Sequence, residues 1–186
     1  MINFQMSFGT PTARQLWNVI NAVPGIRQKT YIHNQGQIPK MRDLLAKGRQ
    51  LLLFKFNGKD CNDENILDCT PRIADYFDTV VENRFTFRNV DAIFDSTYSC
   101  LPFRGRNGRK DFYSINNFVT TSFGPSKLAA GIINEEGFLK KHIVDCQEIT
   151  GYELNIVSVD FWQRGDLPKV VQEVNVLRAT GGSFSG

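Results

Sequence analysis

No uninterrupted apolar run in this sequence approaches the roughly 18 residues that a membrane-spanning helix needs, so no span is expected. The first ten residues mix polar and aromatic side chains without a basic stretch leading into an apolar one, and so do not form a signal peptide. Neither sign of charge dominates, the formal net charge being +3. Only Arg104, Arg106, Arg109 and Lys110 cluster, with Gly105, Asn107 and Gly108 between them, which reads as a solvated loop. A nucleic-acid footprint needs a broad basic face, so nucleic acid is not an expected partner. The short CxxC spacing of a structural zinc site is also absent.

What is present is the balance of an ordinary globular domain: 186 residues, 41% hydrophobic and 22% charged, enough for one sizeable core. Cys61 and Cys69 bracket a polar loop and suggest a local disulfide, which closing so short a loop would make worth roughly 2–3 kcal/mol. Cys100 and Cys146 form the natural second pair, although four cysteines allow three connectivities, and four free thiols of a cytosolic protein are the alternative. Two disulfides imply an oxidising compartment. Without a secretion signal, that implies an N-terminus upstream of Met1.

Along the chain, strands and helices alternate. Residues 12–23 read as a helix with Leu16, Val19 and Ile20 on one face, stopped by Pro24 and Gly25. A short strand follows at 29–33, then a helix carrying Ile38, Met41, Leu44 and Leu45, with Pro39 in its first turn and Gly48 at its C-terminal cap. Residues 50–56 are apolar almost throughout, as in a strand covered on both faces, which makes Lys55 conspicuous. It either snorkels to water or contacts a ligand. The pattern from 57 to 111 is less regular, with an amphipathic segment at 72–81. Residues 112–120 return to a strand. Asn134 with Glu135 and Glu136 marks a helix start, with Phe138, Leu139, Ile143, Cys146 and Ile149 as its buried stripe and Gly151 as its end. The last strand, 154–162, places Ile156, Ser158 and Asp160 on one face. Asp166 then caps a helix with Leu167, Val170, Val171, Val174 and Leu177 on its apolar side, and residues 179–186 read as a disordered tail.

This alternation predicts an α/β fold with about four parallel strands and outer helices. A complete eight-stranded barrel takes about 250 residues, so residues 1–178 would form only half of one. A missing N-terminal half, a partner chain or a second copy would have to cover its open edges.

Several blocks together resemble a known family: Thr30–Tyr31–Ile32–His33, residues 38–45, Leu51–Leu52–Leu53–Phe54, and residues 80–85. Closer still are Ser99–Cys100 with Arg104, residues 113–118, Cys146 followed by Gly151 and Asn155, Val159–Asp160–Phe161, Gly165–Asp166, and Glu173–Val174–Asn175. Their order and spacing resemble the C-terminal half of the phosphatidylinositol-specific phospholipase C-like phosphodiesterases, an X-domain-like TIM-barrel superfamily, in its secreted single-domain branch.

The resemblance implies metal-independent or calcium-assisted cleavage of a phospholipid or other phosphodiester at the mouth of a distorted barrel, with peripheral membrane contact and an extracellular location. One histidine would act as base, a second as acid, and an arginine would stabilise charge on phosphorus. Both family histidines belong to the N-terminal half, and neither His33 nor His142 matches their motif. His142 reads as packing or solvated surface.

Asp160, at the end of the final strand, is the one catalytic residue carried over, as the carboxylate that pairs with the base histidine; the alternative is an aspartate that caps the following turn. Glu82, Asn117, Lys55 and His33 stand at strand ends as candidate substrate contacts. Three functions follow: a truncated phosphodiesterase, a non-catalytic headgroup- or sugar-binding relative, or an interaction module that recruits a chain by strand addition.

Overall fold

In a computed structural model, residues 1–4, 11–33, 37–56, 70–105 and 110–182 are described. The chain is mixed α/β, and among the described residues its strands fall into sheets of three, four and two strands rather than one closed barrel. It divides into two compact units, one from Met1–Val80 together with the segment ending at Asp111, the other from the remainder after Val80.

The first unit contains β1 (Ile2–Phe4), α1 (Ala13–Ile20), α2 (Ile26–Lys29), α3 (Met41–Ala46), β2 (Leu53–Lys55), β3 (Ile73–Asp75) and α4 (Tyr76–Thr79). Its sheet has the order β1-β2-β3 and is wholly parallel, with Leu53 opposite Ile73 and Lys55 opposite Asp75. Thr12 and Gln15 form a capping box that starts α1, each side chain answering the other's backbone N–H. Ala13 and Trp17 of α1 bury against Leu53 and Ile73, with Leu16 and Ile20 beside them. Val19, expected on that face, is 75% exposed, because the stripe is centred on Trp17 instead. The strand expected at 29–33 is one bridge, Thr30 to Leu51, after a turn of helix. In α3 only Leu44 is buried; Met41 and Leu45 face water. Gly48 takes a positive φ of 66°, and the Arg49 N–H returns to the Leu44 carbonyl at 2.8 Å, ending the helix as its glycine predicts. The segment at 72–81 is not one amphipathic element but β3, the single turn α4, and the start of the next strand.

The second unit contains β4 (Val80–Asn83, from Val81 onward), α5 (Asp91–Phe94), α6 (Ser96–Ser99), β5 (Pro102–Arg104), β6 (Phe112–Asn117), the hairpin β7 (Thr120–Thr121) and β8 (Gly124–Pro125), α7 (Lys127–Ile133), α8 (Glu136–Thr150), β9 (Leu154–Val159) and α9 (Leu167–Ala179). Its sheet has the order β5-β4-β6-β9, with β6 and β9 parallel and β5 antiparallel to β4. Val81, Tyr113, Ile115 and Leu154 pack beneath Leu139, Ile143 and Cys146 of α8 and Val170 and Val174 of α9. Cys100 and Cys146 are bonded inside this core. In the chain-entropy argument, closing a loop of separation 46 is worth about 4 kcal/mol. Cys61 and Cys69 lie outside the described residues.

Two helix starts differ from expectation. Glu135, not Asn134, is the N-cap of α8, because residues 127–133 already form α7 and Asn134 ends it. Asp166 stands at the N-cap of α9, as expected, but its side chain makes no cap bond there; its carboxylate accepts the Glu136 N–H at 3.0 Å, tying the start of α8 to the entry of α9. Ile149 is exposed, and its place in the α8 stripe is taken by His142. Among the described residues, no helix is long and apolar enough to cross a membrane.

Candidate functional site

Register settles which side chains share each face of the second sheet. Val81, Tyr113 and Ile115 point to α8 and α9, so alternation places Glu82, Ser114 and Asn116 on the other face. A bulge at Tyr113/Ser114 brings Ile156 opposite Ser114 and Ser158 opposite Asn116, while the Asn155 side chain accepts the Tyr113 N–H at 2.8 Å. The result is a polar strip of Glu82, Ser114, Asn116 and Ser158 across three adjacent strands. The Ser114 Oγ is buried with no hydrogen-bond partner among the described residues.

Glu82 is buried and faces Arg104, its register partner on β5, in a charge-assisted pair through both Nε and Nη2. Burial pushes the Glu82 carboxyl above its ordinary range, outweighing the Arg104 charge and hydrogen bonds from Arg104 and Asn116. Aromatic faces surround these cations: Arg104 lies 3.7 Å from the Phe85 ring centroid, and Arg84 sits 4.4 Å from Tyr98 and 5.2 Å from Phe103.

Asp160 directly follows β9 and is half-buried, and desolvation raises its pKa. Its carbonyl accepts the Asn134 side-chain N–H at 3.0 Å, and the Asn134 carbonyl in turn accepts the Asp166 N–H at 2.8 Å. Between these two anchors, Gly165 runs so close that a Cβ there would lie 2.4 Å from the Asn134 carbonyl oxygen. Asn134, which sequence reasoning assigned to a helix cap, thus fixes both ends of the loop behind the candidate carboxylate.

Asn117 is placed differently from its neighbour Asn116. It faces the helices, fully buried, with its Nδ2 donating to the Ile133 carbonyl (3.0 Å) and Asn134 Oδ1 (3.2 Å). Its Oδ1 meets His142 Nδ1 at 2.9 Å, and His142 Nε2 lies 3.1 Å from Ser99 Oγ. Because Asn117 Oδ1 can only accept, Nδ1 carries the proton and Nε2 accepts from Ser99. Burial holds the imidazole neutral, with a pKa lowered to about 4. Asn117 is thus turned to the helices, while Asn116 shares the face of Glu82 and Ser114.

Lys55 and His33 are in the first unit. Lys55 is buried rather than reaching water, and its Nζ donates to the Phe56 carbonyl at 3.0 Å. His33 is buried with its ring edge-on to Tyr31 and Phe54, and its backbone N–H donates to the Pro71 carbonyl. Cys100, His142 and Cys146 bring ligand-type atoms within 4.8 Å, but the two sulfurs are bonded to each other and are not available to a metal.

The sequence is 26% identical over 173 residues to PI-PLC X domain-containing protein 1 of Arthroderma benhamiae. The chain is a distant relative of that protein. The match takes in 86% of this chain and 53% of the relative, so the chain spans about half the length of the curated relative it matches. No family model matches, and no solved structure matches.

Proposed function

We propose that this chain is the C-terminal half of a distorted (β/α)8 barrel of the phosphatidylinositol-specific phospholipase C-like type. In this reading it supplies the orienting carboxylate and part of the headgroup wall of a phosphoric diester hydrolase acting in lipid metabolism. The acid–base histidines would come from a preceding half. The observation that carries the reading is the position of Asp160: at the C-terminal end of a parallel strand, half-buried, with its backbone held by Asn134, and next in alternation to the strip of Ser158, Asn116 and Glu82.

In-line attack on phosphorus needs a proton taken on one side and delivered on the other. A carboxylate at Asp160 would orient the base histidine and stabilise its charged form. Neither histidine of this chain suits proton transfer to substrate, since both are buried and His142 is fully engaged by Asn117 and Ser99. The Cys100–Cys146 disulfide is compatible with an extracellular protein, which supports the secreted branch of the family.

The test is turnover of phosphatidylinositol. The 186-residue chain by itself should release no inositol phosphate, and clear turnover would overturn the division of labour proposed. In a protein extended by the missing half, Asp160→Asn should slow turnover by roughly a hundredfold or more, and an unchanged rate would remove Asp160 from the site.

A further inference from the structure

A relay of buried side chains runs through the second unit and ends on Asp160. Ser99 Oγ donates to His142 Nε2 at 3.1 Å, and His142 Nδ1 donates to Asn117 Oδ1 at 2.9 Å. Asn117 Nδ2 donates to Asn134 Oδ1 at 3.2 Å, and Asn134 Nδ2 donates to the Asp160 carbonyl at 3.0 Å. Ser99, His142, Asn117 and Asn134 are each no more than 2% exposed. Two main-chain carbonyls, which can only accept, set the direction of these links. The Ile133 carbonyl takes a bond from Asn117 Nδ2 at 3.0 Å, which turns Asn117 Oδ1 to His142 and so puts the ring proton on Nδ1. The Asp160 carbonyl takes Asn134 Nδ2, which turns Asn134 Oδ1 to Asn117. Flipping either amide would set two acceptors or two donors face to face. Buried bonds that run one way polarise one another and rigidify the structure they join.

What they hold is the backbone at Asp160. On one side Val159 stands opposite Asn117 in the register of β6 and β9, and on the other Asn134 grips the Asp160 carbonyl. The next residue, Phe161, has a positive φ of 49°, a left-handed conformation that is strained for a bulky side chain. Such strain persists only where the surroundings impose it. Asn134 imposes it from both ends of the loop, through the Asp160 carbonyl and, with its own carbonyl, through the Asp166 N–H at 2.8 Å. The strand register and the Asn134 amide together leave Asp160 one backbone conformation, and with it one direction for its Cα–Cβ bond.

We propose that Asn134, backed by Asn117 and His142, is a positioning residue that aims the Asp160 side chain. The members of the relay are closed off from solvent, so they act through Asp160 rather than on a ligand. The inference deepens the phosphodiesterase reading by naming what aims its carboxylate, and it rests on that reading only for the role of the carboxylate.

The experiment follows the 186-residue chain by NMR with no substrate present, so that failure of the enzymatic reading leaves the outcome untouched. One signal is the set of backbone shifts of Phe161, which separate left-handed from extended backbone. The other is the titration of the Asp160 carboxyl carbon, assigned by its loss in Asp160→Asn. Desolvation raises the Asp160 pKa, with no charged neighbour contributing among the described residues. Asn134→Ala should release Phe161 from the left-handed region and lower the Asp160 midpoint towards the ordinary carboxyl value as water reaches the loop. His142→Leu, which removes the donor that holds Asn117, should move both signals the same way by a smaller amount. Val174→Ala, which opens a core cavity on α9 outside the relay, should lower stability and leave both signals as in the parent. Where Asn134→Ala does not fold, Asn134→Ser makes the same test, because its hydroxyl is too short to bridge Asn117 and Asp160. Parent-like signals in the Asn134 and His142 variants, or changes of equal size in Val174→Ala, would overturn the proposal.

Discussion

His142 Nδ1 lies 2.9 Å from Asn117 Oδ1, a bond that the imidazole donates and that joins the middle of α8 to the C-terminal end of β6, while Nε2 accepts from Ser99 only as long as it carries no proton. Protonating Nε2 would replace an accepted Ser99 hydrogen bond by a buried charge. The folded pKa of about 4 lies below the ordinary value of 6.5, so the unfolded chain binds more protons between those limits. The stabilisation is fully present above pH 6.5 and is lost as pH falls towards 4, to a total of roughly 3 kcal/mol. Urea denaturation at pH 7 and pH 4.5 should show this loss. His142→Asn should be less stable at pH 7 and should lack that part of the pH dependence; an unchanged pH slope would mean that the imidazole titrates freely.

The apolar residues alone mark the α8 stripe without His142, although Leu139, His142, Ile143 and Cys146 follow the i, i+3, i+4, i+7 spacing of one helical face. A polar residue on an apolar stripe is a legible signal, and this one marked a buried hydrogen-bond hub. The strand expected at 50–56, formed as β2 over Leu53–Lys55, and the helix at 167–179 are legible because apolar runs and periodicity are strong there. The α7 helix was not, because Ala129, Ala130 and Gly131 give it no large apolar stripe, and missing it made Asn134 look like a cap. Adjacent Asn116 and Asn117 carry the same side chain, so composition could not say which faces the helices. The bulge beside Tyr113, which no pattern announces, sets the pairing with β9.

Gly165 and Gly151 offer a matched pair of substitutions. Both have positive φ, 86° and 68°, but a Cβ at Gly151 meets nothing within 4 Å, whereas one at Gly165 would strike the Asn134 backbone. Gly151→Ala should cost about 1 kcal/mol, the ordinary penalty of a left-handed alanine. Gly165→Ala should cost clearly more, about 2–4 kcal/mol, because the loop must also move off Asn134. Chemical denaturation of both variants checks the difference, and equal losses would show that the close approach is relaxed in solution.

Cys100 and Cys146 are wholly buried, so their bond both closes a loop and fills the core. Replacing both by alanine should destabilise the chain by about 4 kcal/mol, most of it through the freed unfolded chain. Thermal unfolding under oxidising and reducing conditions should differ clearly more for the parent chain than for the double variant.

Glu82 and Arg104 give a prediction whose size depends on pH. Glu82 is nearly inaccessible, while the Arg104 side chain is about a third exposed, so removing the arginine strands a carboxylate that has no route to water. Breaking a buried pair in this way costs about 3–5 kcal/mol when the remaining charge cannot be neutralised. The carboxyl can be neutralised here, because burial already raises its pKa and loss of the Arg104 charge raises it further. A raised folded pKa means that the folded chain binds more protons, so stability falls as pH rises from the ordinary carboxyl value through the folded one. Arg104→Met should therefore be far more destabilising at pH 7 than at pH 4, and Glu82→Gln combined with Arg104→Met should recover most of the loss at pH 7. Denaturation midpoints of the single and double variants at the two pH values measure the effect; an equal loss at both would place the Glu82 carboxylate in contact with water.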